Sequence, residues 1–242
     1  MFILPYPREV LLKVLPKNGY VAEIGVSLGE FSEQILKICD PRKLLLVDPW
    51  IHQSREDYQR DPTNDTQEVM DERYSSVKEK FFLNDRVEIH RAESVATAAE
   101  IKESGEQIDW VYIDAVHSYK GCTEDLYAWA DCISPEGMIT GHDFAYHSIA
   151  DEVGIHVADA VKDFCLDSPW SLVALTNELY GSYVLMKDRD AIQKFYHKMA
   201  RSTLGIVQIQ DFWSYNWSQA LIADEYGRIQ DIGGWPISIL TI

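Results

Sequence analysis

This chain predicts a doubly wound α/β domain on a mostly parallel, seven-stranded sheet with an antiparallel edge strand and helices on both faces. Three observations carry that reading. Short β-branched or Leu-rich runs alternate with longer helix-period stretches, the pattern of strands joined by crossover helices. Val21 to Ser32 reads as a strand, a tight glycine turn and a helix start. Polar residues, Asp48, Asp114 and His142-Asp143, collect at predicted strand ends, which is where open α/β sheets bind ligands.

Taken in order, the apolar runs predict strands at Tyr20–Ile24, Lys43–Val47, Val87–Arg91, Trp110–Ile113 and Gly137–Thr140. Trp170–Leu175 and Ser182–Met186 lie close enough to pair as the antiparallel edge. Between them, the 3.6-residue pattern fits helices at Arg8–Leu15, Glu30–Ile38, Gln67–Phe82, Val95–Lys102, Lys120–Cys132, Ala150–Phe164 and Ala191–Ala200. Pro49–Asp65, which holds Trp50, His52, Tyr58, Pro62 and Asn64, is polar and aperiodic. A loop of that length in a compact domain reads as a lid or binding loop. The whole of 1–242 reads as one domain, with a core over about 17–187 and a carboxyl-terminal extension over 188–242. The tail after Thr203 carries Trp213, Trp217 and Trp235 and fits no repeat; it covers the sheet, covers the site or forms a homo-oligomer interface.

Composition excludes several classes. A hydrophobic fraction of 46% with 25% charged residues is that of a folded globular chain of 242 residues. With 22 Lys and Arg against 39 Asp and Glu the net charge is −17. That argues against a nucleic-acid partner, because polyphosphate binding needs clustered cations, and it leaves room for a divalent cation. Cys39, Cys122, Cys132 and Cys165 show no CxxC spacing and read as free thiols. The opening MFILPYPREVLLKVLP has no basic start and is broken by Pro5 and Pro7, so it does not read as a signal peptide. With no apolar run of about 18 residues to span a bilayer, the expectation is a cytoplasmic protein with no membrane partner.

In the first turn, Gly25 and Gly29 let the backbone bend and leave space over the strand end. A dinucleotide fingerprint would place a glycine where Ser27 stands, and that glycine is what admits a pyrophosphate. Glu23 would also repel a pyrophosphate and suits a cationic ligand, an ammonium or sulfonium. Any βα turn can use two glycines, so the loop informs only together with Asp48, which ends the second strand and is placed to accept ribose hydroxyls. After the third strand, Glu93 and Ser94 stand where an adenine edge is read, although Ser94 equally suits a helix N-cap.

The fourth predicted strand ends in Asp114, with His117 three residues on, and the fifth in His142-Asp143. Carboxylates from adjacent strand ends converge in one crevice. Asp114 and Asp143 suit Mg²⁺ or Mn²⁺, and His142 adds a nitrogen for a softer ion. Asp114 also borders the cofactor side, and His117, projecting from the next turn, is placed as a general base. His90, His156 and His197 read as structural or surface residues, while His52 and His147 lie in candidate site loops. Trp50, Tyr119, Phe144 and Tyr146 are candidates for a substrate-pocket wall, with core packing the plainer role for each taken singly.

EIGVSLGEFS, VDPW and DWVYIDAVHSYKGCTEDLYAWADCISPEGMITGHDF resemble the class I S-adenosylmethionine-dependent methyltransferases. The longest stretch is similar to the branch that includes the macrolide sugar O-methyltransferases, and the resemblance covers roughly Tyr20 to Lys187. It implies a Rossmann-like fold and S-adenosylmethionine as cofactor, supported by Glu23, Gly25, Gly29, Asp48, Glu93, Ser94 and Asp114. It further implies a divalent cation on Asp114, His142 and Asp143, with His117 as the base for a small-molecule hydroxyl acceptor. The chain departs from that branch at His142, where the sugar-modifying enzymes carry Glu-Asp. Two other readings stay open: an NAD-dependent oxidoreductase, against which Ser27 counts, and a cofactor-binding protein without catalysis, which has no need of His117 with Asp114 and Asp143.

Overall fold

In chain order the elements are β1 (Phe2–Leu4), α1 (Arg8–Leu11), β2 (Tyr20–Ile24), α2 (Glu30–Cys39), β3 (Lys43–Val47), α3 (Gln67–Phe81) and β4 (Val87–His90). There follow α4 (Ser94–Ser104), β5 (Ile108–Ile113), α5 (Tyr119–Ala130), β6 (Ile133–Phe144), α6 (Ser148–Glu152) and α7 (Val157–Asp167). The last of the main body are β7 (Ser171–Thr176), β8 (Gly181–Met186), α8 (Arg189–Arg201) and β9 (Val207–Gln208). This computed structural model describes residues 1–209 except 60, 62, 147 and 203, together with 212–214, 221–223 and 229–231. His147, Trp217 and Trp235 therefore lie outside the described residues.

The strands hydrogen-bond in the order β4-β3-β2-β5-β6-β8-β7-β1-β9. β2 to β6 are mutually parallel where they pair, and β8 runs antiparallel to both β6 and β7. The sheet is thus nine-stranded and mixed, not seven-stranded with one antiparallel edge. The predicted β7–β8 pair is antiparallel but interior, because β1 adds to β7 in parallel and β9 adds to β1. A three-residue strand and a two-residue strand are too short to display an alternation, so nothing in the local pattern marks them.

The period of two sorts the strands into two cores. Ala22, Ile24, Val111 and Ile113 join Ala98, Leu126, Trp129 and Phe164 on one face. Val21, Leu44, Leu46 and Tyr112 join Phe31, Ile35, Val77 and Phe195 on the other. The helix predicted over Ala150–Phe164 is two helices, with Gly154 at φ +79° between them. The first helix is shorter than predicted, ending at Leu11.

Chain connections run from β2 outward through β3 and β4 on one side and to β5 and β6 on the other, so the order reverses between β2 and β5. The crevice at that switch point is where such folds seat ligands. The two strand ends close on each other there: the Asp114 amide donates to the Ile24 carbonyl at 2.7 Å. A Cβ added to Gly25, at φ +83°, would stand 1.9 Å from the Asp114 carbonyl oxygen.

Candidate active site

A cavity of about 640 Å³ opens over these strand ends. Glu23, Gly25, Asp48, Glu93, Ser94, Asp114 and His117 all line it. Gly29 does its part indirectly, turning the chain at φ +70° as the N-cap of α2, with the Phe81 ring packed beneath it. Asp48 holds the glycine turn itself: one carboxylate oxygen accepts from the Val26 and Ser27 amides at 2.9 and 3.0 Å, the other from the Trp50 amide at 2.7 Å. Burial pushes its carboxyl above the usual range despite those three bonds. Ser27 and Trp50 carry positive φ, and the Trp50 indole donates to the Ser27 carbonyl at 2.9 Å, closing the loop over the cavity. Of the candidate wall aromatics, Trp50 lines the cavity, whereas Phe144 and Tyr146 pack edge-to-face on each other.

Glu23 is buried, and its carboxyl accepts from Ser32 at 2.5 Å. Burial raises its pKa to about 8, with the Ser32 bond opposing the rise. Between its ordinary value of 4.5 and about 8, the folded protein holds a proton that the unfolded chain has released. This group's contribution to stability therefore falls as pH climbs through that window. Glu23→Gln keeps an acceptor for Ser32 and cannot ionise. Thermal melts should show the variant gaining on the wild type as pH rises from about 5 to about 8; a gap that does not change with pH would mean Glu23 does not titrate there.

Where β4 leads into α4, Ser94 Oγ accepts from the Trp129 indole at 2.9 Å, and Glu93 accepts from Gln53 at 3.3 Å. Asp125, on α5, also lines the cavity, hydrogen-bonded to Ser94 and with its pKa raised to about 7 by burial. The sequence reading missed it, because α5 reads as an ordinary packing helix.

At the other end the strand-end groups meet. His117 Nε2 lies 3.1 Å from Asp143 Oδ2 and 3.4 Å from Asp114 Oδ1, yet is buried without a hydrogen bond to either. One donor atom from each of Asp114, His117 and Asp143 falls within 4.8 Å of the others. An orphaned imidazole nitrogen between two carboxylates is a donor set that fits a divalent cation. His142 Nδ1 stands beside this group, 3.2 Å from Asp143 Oδ2 and 3.9 Å from Asp114 Oδ1. Asp143 reaches the crevice from a bulge: the β6–β8 register shifts between Gly141 and Phe144, and Asp143 has φ +59°. Such bulges re-aim side chains at sites.

The other imidazole nitrogen is also spoken for. His117 Nδ1 lies 3.0 Å from Asp61 Oδ2, and Ser118 Oγ donates to Asp57 at 2.7 Å. The Pro49–Asp65 loop is thereby docked on the turn after β5, in the place expected of a lid. Burial opposes a charge on His117, but the Asp143 charge, the facing Asp114 carboxylate and the Asp61 bond prevail and raise its pKa well above the ordinary value. Burial likewise opposes the Asp114 charge, and the facing His117 with the His142 and Arg8 charges holds its pKa down. Arg8, missed in the sequence beyond its place at a helix start, donates to Asp114 Oδ2 at 2.7 Å.

The parallel strands β4-β3-β2-β5-β6, reversing between β2 and β5 beneath a glycine turn and Asp48, are those of the class I S-adenosylmethionine-dependent methyltransferase fold. A family model described as a methyltransferase domain matches residues 22–144, just over half the chain, and the chain belongs to that family. No curated protein matches it in sequence. Among solved structures it is similar to a putative caffeoyl-CoA O-methyltransferase from Staphylococcus aureus, at 14% identity, TM-score 0.52, over 74% of this chain and 80% of that one. It is similar also to the N-methyltransferase NodS from Bradyrhizobium japonicum, at 10% identity, TM-score 0.50, over 75% and 93%. Against an O-methyltransferase family protein from Burkholderia thailandensis the identity is 13% and the TM-score 0.49, over 70% of this chain; the chain spans about half, 51%, of that protein's length. The first two likenesses show the fold. Among the described residues no helix is long and apolar enough to cross a membrane, and all four cysteines are free.

Proposed function

We propose that this protein transfers a methyl group from S-adenosylmethionine to a hydroxyl oxygen of a small molecule, with a divalent cation at Asp114 and Asp143 and His117 as base. The observation that carries the reading is the convergence of Asp114, His117 and Asp143, the first two of which line the nucleoside-sized cavity. Asp48 retains acceptor capacity for a ribose hydroxyl, since a carboxylate offers about four lone-pair positions and three amides take three. Ser94 and Glu93 border the adenine, and Glu23 with Gly25 the methionine.

Methyl transfer from a sulfonium needs the nucleophile in line and close, so positioning supplies much of the rate. A bound cation supplies Lewis-acid charge that orients the acceptor and favours its oxyanion. The Asp143 and Asp114 charges that raise the His117 pKa would be offset by a cation held between them, which leaves His117 neutral with Nε2 open to take the hydroxyl proton. Asp61, through Nδ1, fixes which nitrogen faces the acceptor. The docked Pro49–Asp65 loop excludes water from the transfer. The same closeness of His117 Nε2 to both carboxylates favours a second reading, in which His117 is a third ligand instead of the base.

Calorimetry tests the cofactor half. S-adenosylhomocysteine should bind and NAD should not; binding of NAD alone would reinstate the oxidoreductase reading.

A further inference from the structure

Three arginines line the cavity among the described residues: Arg8, Arg55 and Arg73. Two belong to the loop side and are consumed there. Arg55 forks onto Asp57 through two bonds of 3.0 Å with Glu124 at 3.6 Å, and Arg73 bonds Asp65 and the Thr63 carbonyl. Arg8 stands at the opposite end, by Glu23, Gly25 and Asp114. Its guanidinium lies over the Phe31 ring, 4.6 Å from the centroid, donates one N–H to Asp114 Oδ2 and also faces the Tyr112 hydroxyl. A guanidinium has five N–H donors in a planar fork, so most of its capacity remains, and its side chain is 28% exposed.

The cofactor's orientation follows from the two ends of the cavity. With ribose at Asp48 and adenine near Glu93 and Ser94, the amino-acid end extends toward β2 and β5. There the cavity is lined by the carboxyl groups of Glu23 and Asp114 with Arg8 as the cation beside them, and Glu23 with Arg8 makes a pair complementary to the ammonium and carboxylate of an α-amino acid. We infer that Arg8 binds the methionine carboxylate of the cofactor, sharing its fork between that carboxylate and Asp114. This rests on the cofactor reading above. It makes Arg8 a specificity residue that separates the intact cofactor from its decarboxylated form, and it ties the cofactor seat to the same carboxylate that faces His117.

The test is calorimetry on the full chain with two probes differing only in the carboxylate: S-adenosylhomocysteine and its decarboxylated counterpart, S-adenosyl-3-thiopropylamine. The wild type should prefer the first. Arg8→Ala should lose roughly 10- to 100-fold in affinity for S-adenosylhomocysteine, the scale of charge-assisted hydrogen bonds, with the decarboxylated probe unchanged. Arg8→Lys should recover part of the loss. Unchanged S-adenosylhomocysteine affinity in Arg8→Ala, or equal losses for both probes, would overturn the assignment, the second by reducing Arg8 to a support for Asp114. A wild type that binds neither probe would instead bring down the cofactor reading itself.

Discussion

His117→Ala is expected to slow methyl transfer by roughly 10²–10⁴-fold, the contribution of a positioned base, while S-adenosylhomocysteine binds nearly as before. The reason is where each nitrogen points. Nδ1 is held by Asp61 at 3.0 Å, so Nε2 is committed to the space between Asp114 and Asp143, where the acceptor hydroxyl must arrive. None of those contacts supports the adenosine half of the cavity. Mn²⁺ titration of the same variant separates the two roles of His117. A base leaves cation affinity intact, whereas a ligand takes most of it away, and a variant with wild-type rate and wild-type cation affinity would strip His117 of both.

Gly25→Ala is the second large effect, on the fold as well as on the cofactor seat. The left-handed backbone alone costs an L-residue roughly 1–2 kcal/mol. The new Cβ would also stand 1.9 Å from the Asp114 carbonyl oxygen and 2.9 Å from the Ala115 Cα, both backbone atoms that cannot rotate aside. One strand end must move away from the other, which puts the total loss at about 4 kcal/mol or more, the range reserved for such special sites. Gly105→Ala is the control: its φ is +73°, but nothing lies within 4 Å of its Cβ position. Denaturant melts should show it losing only the backbone share. Equal losses in the two variants would mean that the approach of β2 to β5 costs nothing to disturb.

How much of this was legible in the sequence depends on the range of the interactions. The glycine turn, Asp48 and the Asp114–His117 spacing are local features of βα units, and each falls at the predicted strand end lining the predicted crevice. The five central strands begin and end within a few residues of their apolar runs, except that β6 continues through His142 and Asp143 to Phe144. What escaped is what pairing across the chain decides. Phe2–Leu4 becomes a strand only because β7 offers an edge 172 residues along the chain. Asp61 acquires meaning from a loop that folds back on His117, and Arg8 from the placement of α1 over Asp114. Nothing in the composition of either segment announces those contacts. His142, a ligand candidate through its adjacency to Asp143, stands with Nδ1 3.2 Å from Asp143 Oδ2, beside His117 Nε2 at 3.1 Å from the same oxygen.

The most direct test of the account is to follow methyl transfer from S-adenosylmethionine to a panel of hydroxylated small molecules, with and without a chelator, and to locate the methyl group in the product by NMR. The account predicts a methyl ether whose formation stops with the chelator and returns when Mg²⁺ or Mn²⁺ is restored. A product methylated on nitrogen or carbon, or an O-methyl product formed at the same rate in the chelator's presence, would contradict it.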